Sequence, residues 1–427
     1  MTAPSPVDSS PVSDGLHSHG FRYLWLANSV RGMAAQVAEF ALPITALELL
    51  HASTFAISAI FIASRIGFLL VGLPSGVWVD RWRKNRVLIL SDAVCTAAFA
   101  TVPVAYAFGV LSVVQLAAVA VVVSIAGVFF TTAHSSVLPY LMDKRDIADA
   151  NARLQATDNT IQAIAPSISG AVVQVVAAPL LYGFATVCQL ASVLALRRVR
   201  TREPVRQRSP GQHRFLRELK EGTAFLMRQP LLRLMLVQAA LVNLGAGIML
   251  SLLPILVIRQ LGLPTWYYGL ISSFSAVTGV TAALLCPRLR RKFGEIRMTL
   301  IFTALAPVAA AATPVAGLLH VRDLSAALVG LSALLIGFVI VGRAVSTAGL
   351  RARTTPNEYL GRVSAANNTI TQGATPLGAL LGGVVASCLS VDAALFLAVL
   401  AMALPLFAML ASPLRAMRTL PPEWERS

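Results

Sequence analysis

Residues 113–130 have the sequence VVQLAAVAVVVSIAGVFF, a stretch of membrane-spanning length without a charged side chain. About 20 consecutive apolar residues cross the hydrocarbon core of a bilayer as an α-helix. Similar stretches fill most of the chain between Phe21 and Ala411. Helices and closed barrels are the structures that can cross, because every backbone N–H and C=O in the bilayer needs a partner. Barrel strands would show as short alternating segments, which the sequence lacks, so it indicates a polytopic helical membrane protein.

The charged residues indicate how the chain is oriented. The 427 residues are 13% charged, about half the fraction of a soluble domain, and the net charge is +16. Every second loop between the apolar stretches is poor in basic residues, and the six loops of this kind together contain only Arg259 and Arg322. The other basic residues cluster in the loops between them, at 81–86, 144–153, 197–228, 288–297 and 351–362. By the positive-inside rule this side is cytoplasmic, and an even number of spans places both termini there. Topology explains the basic excess better than nucleic-acid binding, so we expect no nucleic-acid partner.

The apolar stretches predict an all-α membrane protein with twelve transmembrane helices. They lie near 22–49, 54–79, 87–108, 112–138, 151–178, 180–197, 231–258, 267–287, 298–319, 324–350, 364–389 and 392–412. The longest polar interval divides them into two pseudo-symmetric six-helix bundles. The predicted parts are a disordered cytoplasmic tail (1–20), the first bundle (21–197), a cytoplasmic linker (198–229), the second bundle (230–412) and a cytoplasmic tail (413–427). Apolar residues among charges at 213–228 predict an amphipathic helix within the linker, with a plain linker as the alternative.

The two halves contain related segments. NTIQAIAP at 159–166 recurs as NTITQGATP at 368–376, and the basic turn at 81–84 recurs at 288–291. Both offsets are close to 210 residues. Duplication on this scale is typical of transporters that rock one half against the other around a cavity near the bilayer midplane.

The segment GVWVDRWRKNR at 76–86 is the most specific motif in the chain. Gly76 allows close contact between helices, and Asp80 can cap a helix N-terminus or pair with an arginine. Such a pairing between Asp80 and its partner would break and re-form as the halves rock, which predicts a conformational switch. A basic loop that only sets the topology is the alternative. The candidate switch residues are Gly76, Asp80, Arg81, Lys84 and Arg86.

This segment resembles the G-x-x-x-D-R-x-G-R-R pattern of the major facilitator superfamily, although Arg83 stands where the pattern has glycine. Further matches are FRYLW at 21–25, ALP at 41–43, TPNEYLGRV at 355–363 and PLGA at 376–379. Together they resemble the branch that contains enterobactin exporters and macrolide efflux proteins. The resemblance implies the twelve-helix fold and secondary active export of a drug, antibiotic, siderophore or other natural product by alternating access and proton antiport.

Some residues depart from the pattern of that branch. Ala34-Ala35 stands where the branch often has Gly-Asp, and the antiporter motif of the fifth helix survives only as APSISG at 165–170. The fourth helix also lacks the membrane arginine of better-known drug–proton antiporters. A facilitated or import carrier without proton coupling is therefore the alternative, and a membrane-embedded enzyme is a less favoured third.

Three carboxylates within predicted spans are candidates for proton coupling, because ionisable groups are costly in a bilayer. Glu39 lies midway along the first helix and can bind a proton there; a structural pair with Arg31 is the alternative. For Asp92, bracing the Asp80–Arg86 region is favoured over titration. Asp158 is equally suited to pairing and to coupling.

Further polar residues within spans are candidates for the lining of a substrate cavity. The set is Arg31, Gln36, Arg65, Gln162, Asn243, Arg343 and Gln372, with Asn28, Gln155 and Asn368 as further amides. Arg65 and Arg343 can attract an anionic group or neutralise a carboxylate, although Arg343 can also snorkel to the interface. Hydrogen bonding between helices explains the amides equally well.

We expect no cofactor, no metal and no enzymatic activity, with the proton gradient as the energy source. The four cysteines have no metal-binding spacing, and the chain has no Walker-type loop. His134 has no HExxH partner, which favours a structural role. The expected partners are a small-molecule substrate and the lipid bilayer, around a functional monomer. Arginine far outnumbers lysine, a bias typical of GC-rich bacteria, so the expected location is a bacterial plasma membrane.

Overall fold

A computed structural model describes residues 19–143, 146–199, 221–319 and 321–410. The predicted tails, much of the linker and residues 144–145 therefore lie outside the described part of the chain. Within it, twelve helices have 20 or more residues. They are α1 (His19–Ile44), α2 (Thr54–Arg81), α3 (Lys84–Ala107), α4 (Val113–Val137), α5 (Ile147–Val172), α6 (Ala178–Arg197), α7 (Pro230–Pro254), α8 (Thr265–Phe293), α9 (Glu295–Leu318), α10 (Arg322–Thr354), α11 (Asn357–Cys388) and α12 (Val391–Leu410). Residues 221–228 form a further short helix.

The predicted all-helical fold is confirmed. Of the described helices, nine are long and apolar enough to cross a membrane by length and composition. The other three, α1, α5 and α11, carry more polar side chains. Helix α11 begins at Asn357, seven residues before the predicted start at residue 364, and α8 continues to Phe293, six beyond the predicted end at residue 287. These extensions are polar, so hydropathy does not detect them, but their backbone still forms helical hydrogen bonds.

The first helix of each half ends in the same way. A π-helical turn, Thr45–Leu49, follows α1, and another, Ile255–Gln260, follows α7. Each lies just after a proline, Pro43 or Pro254. Proline has no N–H to donate and its ring clashes with the preceding turn, so the regular α-helical hydrogen bonding is interrupted near this end of each helix.

The contacts among the first six helices recur among the last six. Helix α1 packs on α5 and α6, as α7 packs on α11 and α12. Helix α2 packs on α4 as α8 packs on α10, and α3 packs on α4 and α6 as α9 packs on α10 and α12. The main contacts between the halves are α2 with α11 and α5 with α8, two pairs that the same offset of six helices interchanges.

The hydrophobic core is continuous at one end of the molecule and divided at the other. We call the end that carries the loops at 82–83, 294 and 355–356 the basic face, and the other end the opposite face. Toward the opposite face, one buried cluster joins both halves. Toward the basic face, separate clusters surround Leu24 in the first half and Leu232 in the second. The halves therefore share apolar packing mainly near the opposite face.

Helices α2 and α11 diverge toward the basic face. A methyl group on Gly383 would lie 2.5 Å from the Cβ of Ser58, and one on Gly373 would lie 3.1 Å from Leu69. Gly76, two turns beyond Leu69 along the same face of α2, has no described neighbour within 4 Å of such a methyl group. The close helix contact predicted at Gly76 is thus not seen among the described residues in this conformation.

Candidate functional site

A cavity of about 660 Å³ lies between the two halves. The first half lines it with polar side chains: Gln36, Glu39, Arg65, Asn159 and Gln162. The second half contributes a mainly apolar wall from α7, α8 and α10, which includes Met249, Leu253, Ile271, Val280, Ile336 and Ile340. One wall can therefore bind polar groups of a ligand, and the other can cover an apolar body.

Glu39 and Arg65 form an ion pair on the polar wall. Their side chains are 50% and 45% exposed, respectively, so both remain accessible from the cavity. The alternative pairing of Glu39 with Arg31 is wrong. The two residues lie eight positions apart on α1, a rise of about 12 Å, whereas Arg65 reaches Glu39 from α2.

A second cavity, of about 310 Å³, lies within the first half. Helices α1, α4 and α5 line it, and most of the lining residues are polar. It shares Gln36, Asn159 and Gln162 with the larger cavity, so the two adjoin. The predicted cavity residues Gln36 and Gln162 therefore lie where both spaces meet.

Asp158 lies in the wall of the smaller cavity. Its Oδ1 accepts a hydrogen bond from the Nδ2 of Asn28 at 2.7 Å. Gln155, one turn earlier on α5, donates to the Oδ1 of Asn159 at 3.0 Å. Helix α5 thus presents a carboxylate and several amides to one space.

Arg31, which lines this cavity, forms an ion pair with the buried Asp92. The Nε of Arg31 lies 3.0 Å from the Oδ1 of Asp92, whose side chain is fully buried. Gln189 and Ser192 of α6 also donate to this carboxylate, at 2.7 Å and 2.5 Å. The guanidinium of Arg31 stacks on Phe130, 3.8 Å from the ring centroid. Such a network balances the two charges and holds α1, α3, α4 and α6 together.

The expected bracing of the motif at 76–86 by Asp92 does not match the described contacts of Asp92. Its donors lie on α1 and α6, because this side of α3 packs against α6 rather than toward the loop. Sequence reasoning missed Gln189 and Ser192. Their sequence carries no signal, because a glutamine and a serine in an apolar span are equally typical of a lipid-facing or cavity-facing position.

The halves meet near the opposite face through several specific contacts. The rings of Phe40 and Tyr268 stack with their centroids 5.5 Å apart. Thr265 donates to the Oε1 of Glu48 at 2.5 Å. Ser167 and Ser273 share a hydrogen bond of 2.7 Å between their hydroxyl groups. Arg259 donates to the backbone oxygen of Ala52 at 2.8 Å. These contacts close the space between the halves at this end.

The motif at 76–86, which the sequence predicts to be a conformational switch, lies at the basic face. Helix α2 ends at Arg81, and α3 begins at Lys84, with Arg86 in its first turn. The side chain of Asp80 lies outside the described part of the structure. The Nδ2 of Asn85 donates to the backbone oxygen of Val199 at 3.0 Å, which ties the start of α3 to the end of α6.

The second half has an ionic cluster at the equivalent turn, which sequence reasoning missed. Glu295, at the start of α9, pairs with Arg290 at 3.4 Å and with Arg353 at 3.0 Å. It therefore connects α8, α9 and the end of α10. The recurrence of the basic turn at 288–291 was the available signal, since the acidic residue follows four positions later.

Four predicted cavity residues are not among those that line the two cavities: Asn243, Arg343, Asn368 and Gln372. Asn243 donates to the backbone oxygen of Ala239 in its own helix at 2.8 Å. Gln372 is exposed. Arg343 is 4% exposed, and its Nε has no hydrogen-bond partner among the described residues, so the alternative of snorkelling to the interface is also wrong. Its place on α10, one turn from Ile340, keeps the guanidinium inside the helix packing.

Comparisons with known proteins agree with this architecture. Residues 10–423 match the family described as transmembrane secretion effectors. A curated relative, the uncharacterized MFS-type transporter y4rN of Sinorhizobium fredii, is 26% identical over 325 residues, which cover 74% of this chain and 76% of the relative. MFS denotes the major facilitator superfamily.

Solved transporter structures share the fold. A bacterial homologue of the iron transporter ferroportin in its inward-facing state has a TM-score of 0.74 at 18% identity, covering 92% of this chain and 98% of the homologue. A bacterial ferroportin homologue in the outward-facing state has a TM-score of 0.58 at 18% identity, with coverage of 93% and 99%. The nucleoside transporter NupG has a TM-score of 0.74 at 13% identity, with coverage of 92% and 99%.

At these identities the likeness to solved structures shows the fold alone, that of a multi-pass membrane protein. The family match spans most of the chain and confirms the superfamily that the motif at 76–86 resembles. This chain belongs to the transmembrane secretion effector family of major facilitator superfamily transporters.

Proposed function

We propose that this protein is a secondary active transporter that exports small amphipathic molecules across the bacterial plasma membrane by alternating access and proton antiport. All twelve helices cross the membrane in two six-helix bundles, at 21–197 and 230–412, and both termini lie in the cytoplasm. The repetition of helix contacts after six helices supports the two-bundle arrangement. The cavity of about 660 Å³ between the halves, with a polar and an apolar wall, is the observation that carries the proposal.

The conformation described here is the inward-facing one. Contacts such as Phe40 with Tyr268 close the opposite face, while α2 and α11 diverge toward the basic face. The positive-inside rule assigns the basic face to the cytoplasm. The higher TM-score to the inward-facing than to the outward-facing ferroportin homologue agrees with this assignment. An exporter loads its cargo in this state.

The two walls of the cavity define the kind of cargo. Amides and one ion pair on the first half suit a polar head, whereas the aliphatic side chains and Met249 on the second half suit an apolar body. Pockets of roughly 300–1,000 Å³ bind drug-sized ligands. We therefore assign small organic amphiphiles to the cavity, without a cofactor, and expect a monomer to suffice because both walls belong to one chain.

We assign proton coupling to the pair of Glu39 and Arg65. Both side chains face the cavity between the halves, so water, proton and cargo reach the same carboxylate in this state. Protonation of Glu39 would release Arg65 and change the polar wall that the cargo contacts. Asp92 is assigned to the scaffold, because three donors and complete burial hold its charge in place.

Transport in proteoliposomes tests the proposal. Purified protein is reconstituted, and cationic, neutral and anionic amphipathic dyes are supplied with and without an imposed pH gradient. We expect the gradient to drive at least one dye uphill, against its own concentration gradient and opposite to proton flow. If no dye moves uphill in either vesicle orientation, the proposal of an active antiporter fails and a passive carrier takes its place.

The Glu39→Gln variant tests the coupling assignment separately. Glutamine keeps the size and hydrogen-bonding capacity of the side chain but cannot bind and release a proton. We expect downhill dye exchange to persist while uphill transport driven by the pH gradient disappears. Uphill transport at the parent rate in Glu39→Gln would show that another group carries the proton.

A further inference from the structure

The carboxylates near the two cavities differ in what balances their charge. Glu39 is paired with Arg65, and Asp92 is paired with Arg31. Asp158 has no basic side chain within 4.0 Å among the described residues, and its partner Asn28 is uncharged. It is exposed toward the smaller cavity rather than buried. Asp158 is therefore an accessible carboxylate that can pair directly with a positively charged group of a ligand.

The arrangement around Asp158 leaves a binding position open. Asn28 donates a hydrogen bond to the Oδ1 of Asp158, while the Oδ2 of Asp158 has no hydrogen-bond partner among the described residues. The amides of Gln155 and Gln162 line the same cavity, and their carbonyl oxygens are acceptors that suit an N–H group. A ligand in this cavity of about 310 Å³ would thus meet one anionic oxygen and several neutral acceptors.

Arg31 does not make this cavity a site for anions. Its Nε is bound to Asp92, and its guanidinium face lies on Phe130. The positive charge of Arg31 is therefore balanced by a fully buried carboxylate. Arg31 lines the cavity, but the charge with which it could attract an anionic ligand is already balanced by Asp92, whereas an ammonium group would supply a positive charge to Asp158 itself.

The adjoining cavities match the two ends of an amphipathic cation. The smaller cavity meets the larger one at Gln36, Asn159 and Gln162, and the larger one has the apolar wall of the second half. We propose that the smaller cavity is a head-group site in which the ammonium of an amphipathic organic cation pairs with Asp158, while its apolar body lies against the second half. This inference rests on the proposed transport function and names the chemical class of its cargo.

Binding to the purified full-length protein in detergent tests the site. The probes are imipramine, which joins a dimethylammonium head to a tricyclic body, and iminodibenzyl, its neutral tricyclic core. Isothermal titration calorimetry is performed on the parent, Asp158→Asn and Asp149→Asn. Asp149 lies on the same helix, is exposed and does not line either cavity, so its variant is a matched control for charge.

We expect the parent to bind imipramine more tightly than iminodibenzyl. Asp158→Asn should weaken the binding of imipramine by about tenfold or more, because a charge partner is lost from a partly desolvated site. The affinity for iminodibenzyl should stay unchanged, which also shows that the variant is folded. Asp158→Glu, which restores the charge, should recover most of the imipramine affinity, and Asp149→Asn should bind like the parent.

Several results would overturn the site. These are no imipramine binding by the parent, equal imipramine affinity in the parent and Asp158→Asn, or an equal loss in Asp149→Asn. Failure of the site and failure of the transport function are distinguishable. If Asp158→Asn keeps its affinity while the parent pumps dyes uphill, only the head-group site is wrong. If imipramine binding requires Asp158 but no dye is pumped, the site stands and the transport function is wrong.

Discussion

Two ion pairs of the same chemical type have different surroundings in this protein. Asp92 is fully buried and accepts bonds from three side chains, and Arg31 is 17% exposed. Glu39 and Arg65 are each about half exposed in a cavity. A buried pair is difficult to break, because removal of one partner leaves an uncompensated charge. An exposed pair contributes little to stability and can open and close during transport.

The two arginines should therefore differ in their effect on stability. We expect Arg31→Gln to lower the free energy of unfolding by about 3–5 kcal/mol, the usual loss when a buried pair is broken. Arg65→Gln should lower it by less than about 1 kcal/mol. Thermal unfolding of both variants in the same detergent, followed by intrinsic fluorescence, measures the difference. Equal midpoints for the two variants would contradict the assignment of Arg31 and Asp92 to the scaffold.

At the scale of elements, α2 and α11 form a V-shaped pair. They touch at Ser58 and Gly383, remain in contact at Leu69 and Gly373, and are separated at Gly76. Rocking of the halves would bring their basic ends together. Gly76 would then lie against α11, where a glycine allows close approach of two helices. We therefore expect the close contact predicted at Gly76 to form in the other state of the proposed transport cycle.

The substitution Gly76→Leu should block the cycle without disturbing the state described here. The added side chain enters open space in this conformation, so folding and ligand binding from the basic face should persist. Closure of the basic face would force it into α11, so transport should fall by an order of magnitude or more. Gly183→Leu on α6 is the control, since that glycine also has no described neighbour within 4 Å. Parent-like transport by Gly76→Leu would show that α2 and α11 do not close there.

At the scale of the whole molecule, the sequence predicts the helices far better than their pairing. Hydropathy and the motif at 76–86 predict an all-helical transporter, because burial in lipid requires long apolar segments. The pairing depends on how each helix is rotated about its axis, which packing against its neighbours decides. Glu39 therefore meets Arg65 of the next helix rather than Arg31 of its own, and Asp92 meets Gln189 and Ser192, which no motif marks.

Alternating access also requires the contacts at the opposite face to separate once in each cycle. The hydroxyl groups of Ser167 on α5 and Ser273 on α8 lie 2.7 Å apart where the two halves meet at the opposite face. Cysteines at both positions should form a disulfide under mild oxidation, which would hold the opposite face closed. We expect dye transport by the double variant to stop on oxidation and to recover on reduction. Each variant with only one of the two introduced cysteines should transport under both conditions.

The four natural cysteines, Cys95, Cys188, Cys286 and Cys388, are free, so the single variants also control for reactions of these thiols. Ligand binding to the oxidised double variant should persist, because the cavities remain open toward the basic face. Unimpaired transport by a fully cross-linked protein would mean that α5 and α8 never part at this point. The cargo would then have to leave by another route, and rocking of two rigid halves could not describe the cycle.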